Sequence, residues 1–427
     1  MLIPELYELF LHNPVVTTDS RNCPRGSIFF ALKGEHFDGN QYAAKALAAG
    51  CNYAVIDNSD YYTGERTILV EDALVALQKL AQRHRKVIGL PVIAITGTNG
   101  KTTTKELLAA VLSTKFNILY TEGNLNNQIG VPLTLLRLNH EHEMAIIEMG
   151  ASHPGDIKEL AEIAQPNYGI ITNVGCAHLE GFGSFENVKN TKAELYDYLR
   201  RVKGKIFIKK EDEVLQSVGK GLEQITYGYG DSSFASGQIV SNDPFLTLQW
   251  KQQGKINMIQ THLIGDYNID NVLVAVTVGR YFKIPSARIN RAIESYEPSN
   301  NRSQLKETAH NVLIIDAYNA NPTSMKAALT NFASMTFHPK AIILGDMFEL
   351  GEGSDELHAE IVSTIRECDF DKVFLCGKHF AQAGEAFSPY VNTEALIEAL
   401  QASSLKGYHI LIKGSRSMAL EKVIEFL

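Results

Sequence analysis

A run rich in glycine, Gly97-Thr98-Asn99-Gly100-Lys101-Thr102, stands between the apolar segment Val92–Thr96 and a stretch of helical spacing from Lys101 to about Thr114. Strand, glycine loop and helix in that order make an anion cradle. Glycines let backbone N–H groups curl around phosphate oxygens, and the helix N-terminus adds positive partial charge. Lys101 then meets the terminal phosphates of a nucleoside triphosphate, and the Thr102 hydroxyl can ligate Mg²⁺. Thr103 continues the same cradle. The strict phosphate-loop spacing asks for glycine at position 95, where this chain has Ile95, so the match is to a shortened variant.

A second set of polar residues follows apolar, strand-like runs. Glu148 ends Met144–Glu148 and is placed to hold Mg²⁺ beside the loop. His178 closes Thr172-Asn173-Val174-Gly175-Cys176-Ala177-His178, after the run Tyr168–Thr172, where a metal or catalytic role outweighs a surface one. Lys192, by residue type alone, is an exposed helical lysine. Asn268 and Asn271 share one helix face, and Asn268 suits a helix cap. Asp316 ends Val312–Asp316, and Asn319 and Asn321 follow it in a ligand-contacting position. Lys413 and Arg416 flank Gly414-Ser415 and suit a carboxylate or phosphate. Thr18–Arg21 and Ala31–Gly34 have the composition of loops.

These clusters need scaffolds that end strands at one edge. The near-continuous apolar runs predict strands buried on both faces of parallel sheets, whose sites lie beyond the carboxyl ends of the strands. The reading is an α/β protein of three domains: residues 1–86, a central P-loop parallel-sheet ATPase domain at 87–299, and a Rossmann-like domain at 300–427. Gln238–Leu263 alternates apolar and polar residues around Gln253-Gly254, which predicts an antiparallel hairpin attached to the central sheet. The first residues, Met1 to Asn13, suggest a short amphipathic helix.

Composition narrows the partners. The 427 residues carry a formal net charge of −8, which argues against nucleic acid or an anionic membrane. No apolar run approaches the roughly 20 residues that span a bilayer. Five cysteines without a CxxC pair fit reduced thiols in a cytoplasmic protein. A guanine-specific Asn-Lys-x-Asp run is missing, which speaks against a GTPase-type switch.

Six stretches together resemble the Mur ligases: Gly97–Glu106, Gly123–Thr134, Ile171–Glu180, Asp316–Met325, Gly345–Gly351 and Lys413–Arg416. The run Asn319-Ala320-Asn321-Pro322 is similar to the branch that adds D-alanyl-D-alanine. The Asp-Asn-Pro-Arg signature of the diaminopimelate- or lysine-adding branch is not found. The shortened loop is normal for this family. The resemblance implies an ATP-dependent ligase that joins D-alanyl-D-alanine to UDP-N-acetylmuramoyl-tripeptide through an acyl phosphate, in peptidoglycan precursor synthesis. It implies that Lys101, His178 and Lys192 are catalytic. Lys192, fourteen residues after His178, would be carbamylated. Thr102, Glu148, His178 and Lys192 would serve two Mg²⁺ sites. Asn268 and Asn271 would meet adenine, and Arg302 and Asp316 the ATP ribose and phosphates. Ser20, Arg21 and Lys33 would bind the UDP group of the substrate. Domain closure around the site and a monomer without membrane insertion complete the expectation.

Overall fold

The computed structural model describes residues 2–252, 254–299, 301–403 and 405–427. Residues 253 and 300, on which the expected hairpin turn and the start of the expected third domain fall, lie outside this set.

Three large sheets and a two-stranded antiparallel ladder, Lys33–Gly34 with Phe37–Asp38, carry the described residues. The first has four parallel strands in the order Val16–Thr17, Ile28–Phe30, Tyr53–Ile56, Thr67–Leu69. The helix Ala73–Ile88 follows it. Asp72 caps that helix by accepting from Val75 N, and Gly89, in the left-handed region, ends it. Its apolar face packs onto the central unit, so one core runs from Leu6 and Phe10 through Leu77 and Leu80 to Leu135 and Leu160.

The central sheet has nine strands. Six neighbours are Glu223–Gly228, Lys205–Lys209, Tyr168–Ile171, Val92–Thr96, Met144–Glu148 and Ile118–Tyr120, all parallel. The expected antiparallel hairpin is present as Phe245–Gln252 and Lys255–Ile264, and the run holds one strand more, Ala235–Asn242, antiparallel to the first of these. Asp243-Pro244 makes the extra turn. Alternation alone does not show where a long polar-apolar run folds back. Helices cover both faces of the sheet. Lys101–Leu112 and Asn268–Tyr281 pack on one face, and Asp156–Ala164 and Phe185–Val202 on the other. Leu107 and Leu108 are fully buried there. Truncating either to alanine costs about 2–5 kcal/mol.

The third sheet has five strands in the order Gln304–Glu307, Val312–Asp316, His409–Lys413, Lys340–Gly345, Lys372–Cys376, antiparallel only at the first. Lys192 lies inside Phe185–Val202 and is buried, contrary to the exposed lysine its residue type suggests. No helix among the described residues is long and apolar enough to cross a membrane.

Candidate active site

Register assembles the site. Val92–Thr96 lies between Tyr168–Ile171 and Met144–Glu148, with Thr96 opposite Ile171 and Ile95 opposite Glu148. The loops leaving these strands therefore emerge side by side. Gly97 has φ +138°, and a Cβ there would stand 2.0 Å from Thr172 Oγ1. That approach lets Thr172 Oγ1 donate to Asn99 O at 2.6 Å, while Asn99 N donates to Asn173 Oδ1 at 3.0 Å. Thr98 Oγ1 donates to Gly175 O and accepts from Gly175 N. The 172–175 loop thus splints the glycine loop.

A second brace comes from below. Gly100 has φ +78°, and a Cβ would meet Asn271 Oδ1 at 2.6 Å. Asn271 Oδ1 accepts from Thr104 Oγ1 at 3.0 Å, and its Nδ2 donates to Asn268 Oδ1 at 2.8 Å. Asn268 does not cap the helix. Tyr267 holds the cap position, and Asn268 Nδ2 donates back to Ile264 O at 2.8 Å. Both asparagines are buried and set the backbone on which a nucleotide would rest.

Lys101 Nζ donates to Gly97 O at 2.7 Å and Thr98 O at 2.9 Å. Burial brings its ammonium down to about 8, with Glu148 opposing and Arg302 adding to the fall. Thr102 Oγ1 donates to Glu148 Oε1 at 3.3 Å, and Asn126 Nδ2 reaches the same oxygen at 2.9 Å. Glu148 Oε2 is buried without a partner. A carboxylate oxygen so placed suits a cation, because burying it unmatched is costly. Among the described residues no group of three or more His, Cys, Asp or Glu side chains converges to cage a metal. An open set of one carboxylate and one hydroxyl fits Mg²⁺, which keeps waters and phosphate oxygens as its other ligands.

His178 has φ +53°, an uncommon conformation for a residue with a side chain. Its Nδ1 lies 2.5 Å from Glu349 Oε2 of the third unit, but the approach misses the direction of a hydrogen bond. Burial lowers the imidazole pKa; Glu349 opposes that, and Lys101 and Lys192 add to it. Lys192 Nζ sits 5.4 Å over the Phe182 ring. Burial, with Lys101 nearby, brings it down to about 7. No carboxylate among the described residues lies within ion-pair distance of it.

The third unit closes the site. Asp316 and Lys413 are register partners, and Lys413 Nζ meets Asp316 Oδ2 at 2.5 Å. Asp316 Oδ1 accepts from Ser303 N at 3.2 Å, which fixes the linker carrying Arg302. Lys413 is almost fully buried, so its charge is spent largely inside this pair. Arg416 is exposed and donates to Tyr318 Oη at 3.1 Å. Asn321 caps the helix Pro322–Ser334 and also pairs with Asn99 of the glycine loop. Asn319 is exposed, with Oδ1 accepting from Ala320 N.

Ser20, Arg21 and Lys33 are not joined to this centre by any hydrogen bond or ion pair among the described residues. They leave the carboxyl ends of adjacent strands in the first sheet. Arg21 is held in a two-pronged pair by Asp19, and Lys33 Nζ meets Asp57 Oδ1 at 2.8 Å.

Comparison with known proteins accounts for this arrangement. The Mur ligase family catalytic domain matches residues 14–85, the Mur ligase middle domain 95–279, and the Mur ligase glutamate ligase domain 301–416. The UDP-N-acetylmuramoyl-tripeptide–D-alanyl-D-alanine ligase of Bacillus subtilis is 35% identical, over 99% of this chain and 94% of its own. The chain belongs to the Mur ligase family. The Escherichia coli ligase of the same name is 34% identical over 96% of this chain and 93% of its own. Among solved structures, MurF from Acinetobacter baumannii superposes with a TM-score of 0.87 at 29% identity, covering 96% of this chain and 92% of that one. A MurF ligase from Thermotoga maritima in complex with ADP gives 0.86 at 25% identity, with 97% of each chain covered.

Three residues beside the candidate site escaped the reading of the sequence. Asn126, Glu349 and Tyr318 all fall inside the quoted stretches, but nothing in residue type or spacing marks them. Each stands out only because a residue of another element lies beside it.

Proposed function

We propose that this chain is an ATP-dependent ligase that joins D-alanyl-D-alanine to UDP-N-acetylmuramoyl-tripeptide, in peptidoglycan precursor synthesis. The observation that carries the reading is the docking of the third unit onto the glycine loop through Asn99 and Asn321, beside a relative that bears this activity in its name over 99% of the chain. Such docking encloses ATP together with an acceptor, which a simple ATPase does not need.

A carboxylate is a poor electrophile, so the tripeptide's terminal carboxylate first takes the γ-phosphoryl group of ATP. Lys101, held at the loop, faces the phosphate charge that builds up. Mg²⁺, when held by Thr102 and Glu148, would neutralise that charge. His178 and Lys192 are the residues for a second Mg²⁺. A buried lysine lowered to about 7 is largely neutral at slightly alkaline pH. Neutral amine adds to CO₂, releasing one proton and leaving a carbamate. The lysine then presents anionic oxygens, which removes its repulsion of Lys101.

The acyl phosphate is attacked by the free amine of D-alanyl-D-alanine, and the tetrahedral adduct collapses to amide and phosphate. Closure of the third unit limits hydrolysis of the acyl phosphate by water. Asn268 and Asn271 would meet adenine, and Arg302 and Asp316 the ribose and phosphates. Ser20, Arg21 and Lys33 would take the UDP group on the first unit. Asn319, Asn321, Lys413 and Arg416 would line the acceptor side. The domains divide at 1–86, 87–299 and 300–427, the setting is the cytoplasm, and the enzyme acts as a monomer.

The test is phosphate release from ATP. Release should require both UDP-N-acetylmuramoyl-tripeptide and D-alanyl-D-alanine. Release with diaminopimelate or lysine as the amine, and none with D-alanyl-D-alanine, would sink the assignment.

A further inference from the structure

Tyr318 follows Asp316 by two residues and is half-buried between two arginines. Arg302 Cζ stands 3.7 Å from the centre of its ring and Arg416 Cζ 5.0 Å. Arg416 Nη1 also donates to Tyr318 Oη at 3.1 Å. Tyr318 N donates to Asn301 O at 3.2 Å, so the linker bearing Arg302 is tied to the loop bearing the ring. The two cations come from opposite ends of the third unit, and this ring is where they meet.

Neither guanidinium has a carboxylate within ion-pair distance among the described residues. Arg302 Nε is buried without a partner. An aromatic face offsets part of the cost of holding a cation. Two cations on one ring still repel each other, and an anion beside each relieves this. Arg302 is near enough to Lys101 of the glycine loop to add to the fall of its ammonium. Arg416 is exposed and opens the short 3-10 helix Arg416–Met418 that follows His409–Lys413. Its fork suits a carboxylate. On the ligase reading, on which this inference rests, the incoming dipeptide brings one free carboxylate, about two residues from its reacting amine.

We propose that Tyr318 is a positioning residue that sets Arg302 toward the nucleotide phosphates and Arg416 toward the free carboxylate of the incoming dipeptide. One ring thereby couples recognition of the two substrates. The hydroxyl serves only the Arg416 side, and the ring face serves both.

The two halves separate by substitution. Tyr318→Phe keeps the ring and loses the hydroxyl. It should raise the KM for D-alanyl-D-alanine about tenfold and leave the KM for ATP and kcat within about twofold. It should also shrink the preference for the dipeptide over its C-terminal amide, which a merely structural role would not move. Tyr318→Leu should raise both KM values and weaken ADP binding measured by calorimetry. Wild-type enzyme run alongside tests the ligase reading itself. If the wild type uses the dipeptide and Tyr318→Phe shows unchanged dipeptide KM and unchanged acid-over-amide preference, the role of Tyr318 is overturned while the ligase reading stands. The Phe variant decides the matter even if the Leu variant fails to fold.

Discussion

Asn321 Nδ2 of the third unit donates to Asn99 Oδ1 of the glycine loop at 2.8 Å, and Asn99 Nδ2 faces Asn321 Oδ1 at 3.4 Å. The two residues are 222 positions apart. Asn321 is also the cap of Pro322–Ser334, accepting from Ser324 N at 2.9 Å. A side chain that caps a helix has few free rotamers. The helix therefore aims the amide at the glycine loop.

That dual role can be split. Asn321→Ser keeps a capping oxygen and is too short to reach Asn99, so kcat should fall about tenfold with little change in melting temperature. Asn321→Ala removes the cap as well and should cost about 1 kcal/mol of stability in denaturant titration. Equal activity in the Ser variant and the wild type would refute a latch.

Gly100 bears on the nucleotide directly. With φ +78° and Asn271 Oδ1 2.6 Å from the Cβ position, alanine there strains the backbone and pushes away the asparagine that braces it. Gly100→Ala should weaken binding of a non-hydrolysable ATP analogue by more than about tenfold, a loss on the order of 1.4 kcal/mol. Calorimetry that finds unchanged affinity would show that the brace is dispensable.

Lys192→Ala should abolish most ligase activity and leave ATP binding intact, because the lysine belongs to the helix Phe185–Val202, near Lys101 but outside the glycine loop. Enzyme equilibrated with ¹³C-bicarbonate should show a carbamate carbon signal that disappears in Lys192→Ala. Full activity in that variant, or the same signal in both proteins, would rule out the carbamate.

His84 predicts an acid-sensitive joint between the first and central units. Its Nε2 bonds to Leu138 O at 2.8 Å and its Nδ1 to Tyr7 Oη at 3.2 Å, so the neutral ring is satisfied on both sides. Burial lowers its pKa below the ordinary 6.5, and His140 adds to that fall, whereas the Leu138 carbonyl opposes it. The unfolded chain then binds the proton more readily. The stability that neutral His84 contributes is present above pH 6.5 and is lost as pH falls through the depressed folded value. Between pH 7.5 and 5.5 the melting temperature should drop more steeply in the wild type than in His84→Gln. Parallel slopes would remove His84 as the cause.

Much of this protein was legible in one dimension. Apolar runs such as Val92–Thr96, Met144–Glu148 and Val312–Asp316 are strands at those very bounds, since a strand buried on both faces needs apolar residues at every position. Glycine loop, Glu148 and Asp316 could be placed at strand ends for the same reason. Lys192 could not, because burial of a helical lysine depends on what packs over it, and only the folded chain sets Phe182 and Lys101 beside it. The same holds for Asn321 against Asn99, Glu349 against His178 and Tyr318 between two arginines. Local sequence determined the elements and the phosphate chemistry, because backbone sterics and hydrophobic period act over a few residues. The pairing of groups from separate elements, up to 222 positions apart for Asn99 and Asn321, was decided only in the tertiary structure, where sheet register and the docking of the third unit bring their side chains within reach.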